Sequence, residues 1–101
     1  MTGDIDGLVK TLLVKVYGTV QGVGYRAACV QRARQLDLAG WVRNRLDGSV
    51  EALLQGAPES VSEMCDGMCD GMSVGLVDRM EVEELEPPVA RFDAFRQIPD
   101  A

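Results

Sequence analysis

Between Trp41 and Gln55 the chain runs WVRNRL, then DG, then SVEALLQ, and this stretch limits the possible folds more than any other. Asp-Gly between two runs of alternating polarity favours the tight turn of a β-hairpin. Val42, Asn44 and Leu46 share one face of the first strand, opposite Trp41, Arg43 and Arg45. The return strand turns Val50, Ala52 and Leu54 to its apolar side. A sheet built on this hairpin has one buried face, and Asn44 points toward it. Arg43 and Arg45 are expected to be solvated strand residues that raise the local potential for anions.

The flanking segments supply the other layers. TLLVKVYG sets Leu12, Val14 and Val16 on one face of a strand. From Arg26 to Leu38, Cys29, Ala33 and Leu36 recur at helical spacing, and Gly40 stands where a C-terminal cap is expected. Pro58 suits the first turn of a second helix with Glu59 near its positive end. Val61, Met64, Cys65 and Met68, with Cys69 at the margin, form that helix's apolar stripe. Gly67 and Gly71 weaken it by up to ~1 kcal/mol each relative to alanine. GLVDRMEVEELE then predicts a strand with Met80 and Val82 inward, and FDAFRQI a short last strand after Pro87-Pro88. The order strand, helix, strand, strand, helix, strand predicts an α+β, ferredoxin-like sandwich: an antiparallel sheet with two helices on one face.

A chain of 101 residues makes one domain, here residues 11–101, after a flexible tail over residues 1–10. Its net charge of −6 disfavours nucleic acid as a partner, while local cations still allow a small anion to be held. The apolar run near Leu12 is interrupted by Lys10 and Lys15 and is too short to span a membrane. Three cysteines without a signal peptide predict reduced thiols in a cytoplasmic protein, and the acidic surface predicts a monomer. Histidine is absent, which excludes Ser/His/Asp and Cys/His catalysis. In MCDGMCDGM, Cys65 and Cys69 lie one helical turn apart, but Asp66 and Asp70 fall on another face, and no metal site is expected.

Chemistry is expected at GTVQGVGYR. Gly22 and Gly24 allow positive φ, so the N–H groups of Gln21, Gly22, Val23, Gly24, Tyr25 and Arg26 are able to converge on one anion at the start of a helix. Arg26 adds a guanidinium there. The Rossmann pattern fails at Ala27, and no Gly-Lys-Ser/Thr follows to make a P-loop. Taken alone, the stretch is equally well a glycine-rich turn that ends in a solvated arginine.

GTVQGVGYR together with GWVRNRLDGSVEALLQG resembles the signature of the acylphosphatase family. The match runs through Gly18, Val20, Gln21, Gly22, Val23, Tyr25 and Arg26, then Gly40, Trp41, Val42, Asn44, Gly48, Val50 and Gly56. The layout is similar from about Leu12 to Ile98, with one departure: Met72 stands where the family often has proline after Gly71. The resemblance implies an enzyme that hydrolyses small acyl phosphates to a carboxylate and inorganic phosphate, with no metal or cofactor. It implies that Arg26 and the backbone of residues 21–26 hold the phosphoryl oxygens while Asn44 orients the attacking water. Phosphate or sulfate is then a product or inhibitor. The alternative is a catalytically silent ferredoxin-like module that binds or senses an anion. Phosphoryl transfer asks mainly for positioning and charge neutralisation, and a carboxylate leaves unprotonated, so the lack of histidine is no obstacle.

Overall fold

The computed structural model describes residues 9–101. Most of the expected tail, residues 1–8, lies outside the described residues, and Lys10 already belongs to the first strand. The elements are β1 (Lys10–Thr19), α1 (Tyr25–Gln35), β2 (Ala39–Asn44), β3 (Val50–Gly56), α2 (Pro58–Cys69), β4 (Leu76–Glu84) and β5 (Phe95–Gln97). A short 3-10 turn, Gly71–Ser73, follows α2.

The sheet order is β4-β1-β3-β2-β5. The first four strands pair antiparallel, and the expected short last strand is present but runs parallel to β2, so the sheet is mixed. Cross-strand register explains the single buried face. Val14 stands opposite Ala52 and Val82, and Val42 opposite Ala52. Leu12, Val14, Val16, Val42, Val50, Ala52 and Leu54 are buried on this side under Cys29 and Ala33 of α1 and Val61, Met64 and Met68 of α2. Each fully buried side chain of this size contributes about 1.5–3 kcal/mol relative to exposure. The α+β, ferredoxin-like arrangement with both helices on one face is thus the one observed.

Several local expectations change. Helix α1 stops at Gln35 because Asp37, at φ 57°, takes the left-handed position, and Gly40 lies inside β2. Asx residues tolerate that conformation through local hydrogen bonding. Strand β2 ends at Asn44, so Leu46 sits in the loop and is 90 % exposed rather than facing the core. Arg43 and Arg45 are not simply solvated. Arg43 Nε (2.8 Å) and Arg45 Nη1 (3.1 Å) both donate to Glu51 Oε1, whose residue is buried on the helix-free face of the sheet. Cys69 is exposed, outside the core stripe. Val82 is on the inward register but half exposed, because β4 is an edge strand that the helices only partly cover. That strand also carries Asp78, Glu81, Glu83 and Glu84.

Candidate active site

The glycine turn leaves β1 and enters α1 through two left-handed residues, Gly22 (φ 77°) and Gly24 (φ 86°). An added Cβ meets no atom at either position, so conformation rather than space demands glycine here. Gly24 caps α1, and Ala28 N closes the first helical bond onto its carbonyl at 3.1 Å. The amides before Ala28 therefore have no partner inside the helix. The first turn of α1 holds no acidic residue and instead carries Arg26, whereas α2 begins with Glu59. A cation at a helix N-terminus is disfavoured by the helix dipole, which leaves this end short of negative charge. An anion is the natural complement.

Two side chains fasten the turn. Tyr25 is fully buried and its hydroxyl donates to Met68 O at 2.8 Å, so the phenol is spent on anchoring the turn to α2. Burial, and then the neighbouring thiols, push its phenol far above the usual range. Gln21 turns its amide toward the hairpin, where Nε2 donates to Arg45 O (2.9 Å) and Ser49 O (2.8 Å). It bridges the two segments that carry the candidate residues. Val23 packs against the core.

At the other side of the cavity, Asn44 closes β2 opposite Val50, on the inward register. Its Oδ1 is buried and accepts no hydrogen bond among the described residues. A buried acceptor without a partner costs about 1–3 kcal/mol, which argues against an amide spent on the hairpin's own backbone. The hairpin satisfies itself differently: Asp47 Oδ1 accepts from Ser49 N (2.9 Å) and Ser49 Oγ (2.6 Å). These bonds, above all those from Ser49, hold the Asp47 carboxyl below its usual range.

Gly22, Gly24, Arg26 and Asn44 line one cavity of about 170 Å3, together with Val20, Tyr25, Ala27 and Gln97. The expected pair, Arg26 and Asn44, is thus brought together across the glycine turn. Arg26 is half-buried, and its Nη1 lies 3.2 Å from Asp100 Oδ1. Sequence reasoning did not foresee Gln97 or Asp100 here, and β5 was visible in it only as a short strand. A larger cavity of about 400 Å3 lies at the far end of β2 and β3, beside Arg34, Asp37, Gln55 and Phe95. Two of its polar side chains are occupied: Arg34 donates to Phe95 O, and Gln55 bonds Ala90 O, Thr11 Oγ1 and Phe92 N. This cavity lacks the glycine turn. Along α2, Cys65 is half-buried and Cys69 exposed, and no three potential metal ligands gather among the described residues.

Comparison with known proteins points to one family. The family model described as Acylphosphatase matches residues 12–97. "Acylphosphatase 1" of Ralstonia nicotianae is 56% identical over 89 residues, covering 88% of this chain and 87% of the relative. "Acylphosphatase" of Polaromonas naphthalenivorans is 46% identical over 100 residues, 99% of each chain. Among solved structures, an acylphosphatase from Coxiella burnetii superposes with a TM-score of 0.87 at 30% identity, covering 97% of this chain and 100% of that one.

Proposed function

The chain belongs to the acylphosphatase family, whose enzymes hydrolyse acyl phosphates, and on that premise we propose how its own residues carry out the reaction. The phosphoryl oxygens of a small acyl phosphate sit on the amides of residues 21–26 and on the Arg26 guanidinium. Asn44 Oδ1 accepts a hydrogen bond from the attacking water and aims its lone pair at phosphorus. The P–O bond to the acyl group breaks as the new P–O bond forms, in line. The leaving carboxylate departs as the anion, since its conjugate acid has a pKa of roughly 4. The water's proton passes to a phosphate oxygen, so no protein base is required. Positive charge comes from a fixed arginine and from oriented dipoles that need no reorganisation during the reaction.

One observation carries this assignment: a buried carboxamide oxygen without a partner among the described residues shares a cavity with the guanidinium at a helix N-terminus whose first turn holds no acidic residue. Metal and cofactor have no part in the proposed steps. Inorganic phosphate and sulfate are expected to compete with substrate. The protein is taken to act as a monomer, and in the cytoplasm, where its unpaired thiols stay reduced. Among the described residues no helix is long and apolar enough to cross a membrane. The test is release of phosphate from acetyl or benzoyl phosphate with a chelator present. Turnover is expected. Phosphate binding without turnover would instead identify an anion-binding module.

A further inference from the structure

The segment after β5 continues alongside β2 and past its end. Ile98 N donates to Val42 O (2.9 Å), Ala101 N to Asn44 O (3.0 Å), and Leu46 N returns a bond to Ala101 O (2.7 Å). These backbone bonds hold residues 98–101 beside Asn44. From that track Asp100 reaches Arg26, and its Oδ1 lies 3.2 Å from Arg26 Nη1. The cation assigned to the substrate therefore already carries an anion that the chain itself supplies. We propose that Asp100 competes with the phosphoryl group for Arg26 and so sets how tightly the site holds substrate and inorganic phosphate. This rests on the assignment of Arg26 to the substrate phosphate.

The geometry favours competition over orientation. The contact is one Nη1–Oδ1 pair rather than a two-pronged fork, so it fixes the guanidinium plane weakly. The Asp100 side chain is 55 % exposed and the Arg26 side chain 28 %, which makes the pair easy to exchange. A phosphate dianion brings bonds to the loop amides that the carboxylate does not make, so it wins the site but with reduced affinity. A carboxylate that stays nearby after displacement repels the dianion and acts in the same direction. Weaker phosphate binding also hastens release of one of the two products. Asp100 is on this account an affinity-setting residue that does not enter the chemical step.

Calorimetric titration with inorganic phosphate, paired with steady-state kinetics on benzoyl phosphate, tests this in the wild type, Asp100→Asn, Asp100→Glu and Arg26→Ala. Asp100→Asn is expected to bind phosphate about two- to fivefold more tightly, with a similar fall in KM, as expected for loss of an exposed ion pair. Asp100→Glu is expected to stay near the wild type, and the gain in Asp100→Asn to shrink at high salt. Unchanged or weaker phosphate binding in Asp100→Asn, while Arg26→Ala loses it, overturns the competition alone. Phosphate binding by Arg26→Ala equal to the wild type overturns the assignment of Arg26 and the competition with it.

Discussion

Arg26 and Asn44 meet at one cavity but face different tasks, and substitution separates them. On the proposed mechanism, Arg26→Ala removes the fixed charge that both ground state and transition state use. Phosphate binding is expected to disappear and turnover to fall roughly 10³-fold or more, the range seen for arginines that neutralise phosphoryl transfer. On the proposed mechanism, Asn44→Ala removes an acceptor that touches only the water. Its kcat is expected to fall about a hundredfold, the scale of a misplaced nucleophile, while phosphate affinity stays near the wild type. Titration and kinetics on both variants check the division, and equal loss of affinity in the two would contradict it. The sequence singles out both residues because each sits in a local pattern, a glycine turn or a hairpin, and the structure brings them to one cavity. It does not single out Asp100, because its partner is 74 positions away along the chain and nothing local marks it. The ion pairing of Arg43 and Arg45 was hidden for a similar reason, since Glu51 becomes their common partner only once the strands are registered.

At the scale of elements, the hairpin shows what a turn motif conveys. A two-residue turn at Asp47-Gly48 would pair Asn44 with Glu51. The observed loop instead pairs Asn44 with Val50 and Arg43 with Glu51. Gly48 N donates to Arg45 O (3.1 Å) and Arg45 N to Ser49 O (2.8 Å), with Gly48 alone at positive φ (93°) in the loop. One extra residue in the turn moves the register by one, which in a sheet exchanges faces. Asn44 thereby stands opposite an inward valine, with Arg43 opposite a carboxylate it can bond. The hairpin was readable from Asp-Gly; its register depended on bonds that Asp47 and Ser49 make. Gln21 then ties this loop to the glycine turn. Gln21→Ala strips Arg45 O and Ser49 O of a donor and is expected to lower stability by about 1–3 kcal/mol. It is also expected to lower kcat more than phosphate affinity, since the anion cradle remains but its distance to Asn44 is no longer held. Denaturant midpoints and kcat measured together check this, and a stability loss with unchanged kcat would restrict Gln21 to folding.

For the molecule as a whole, the layer order was legible from hydrophobic periodicity, while its margins were not. Alternation placed Val82 inward on β4, yet an edge strand lies at the limit of what two helices can cover. The same layering divides the thiols. Cys29 is fully buried under the sheet and burial pushes its thiol up to about 12, while Cys69 is exposed. A thiol reagent is expected to modify Cys69 readily and Cys29 only after unfolding, which mass mapping of the native and denatured protein checks. The raised value also sets a sign for alkaline stability. The unfolded chain releases the Cys29 proton near 9 and the folded one only near 12, so this contribution is complete below about 9 and is lost as pH rises toward 12. Thermal melts across that window should show Tm falling, and Cys29→Ser should flatten the fall.

Among the described residues strand β4 leaves one hydrogen-bonding margin of the sheet open, and it carries Asp78, Glu81, Glu83 and Glu84, of which Glu81 pairs with Arg79 and Glu84 with Lys10. Two molecules that met there to extend their sheets would bring an excess of carboxylates together, a repulsion felt across roughly 8 Å at physiological ionic strength. Any barrier to stacking along this edge is therefore expected to be electrostatic rather than steric, and concentrated salt is the condition that would wear it away.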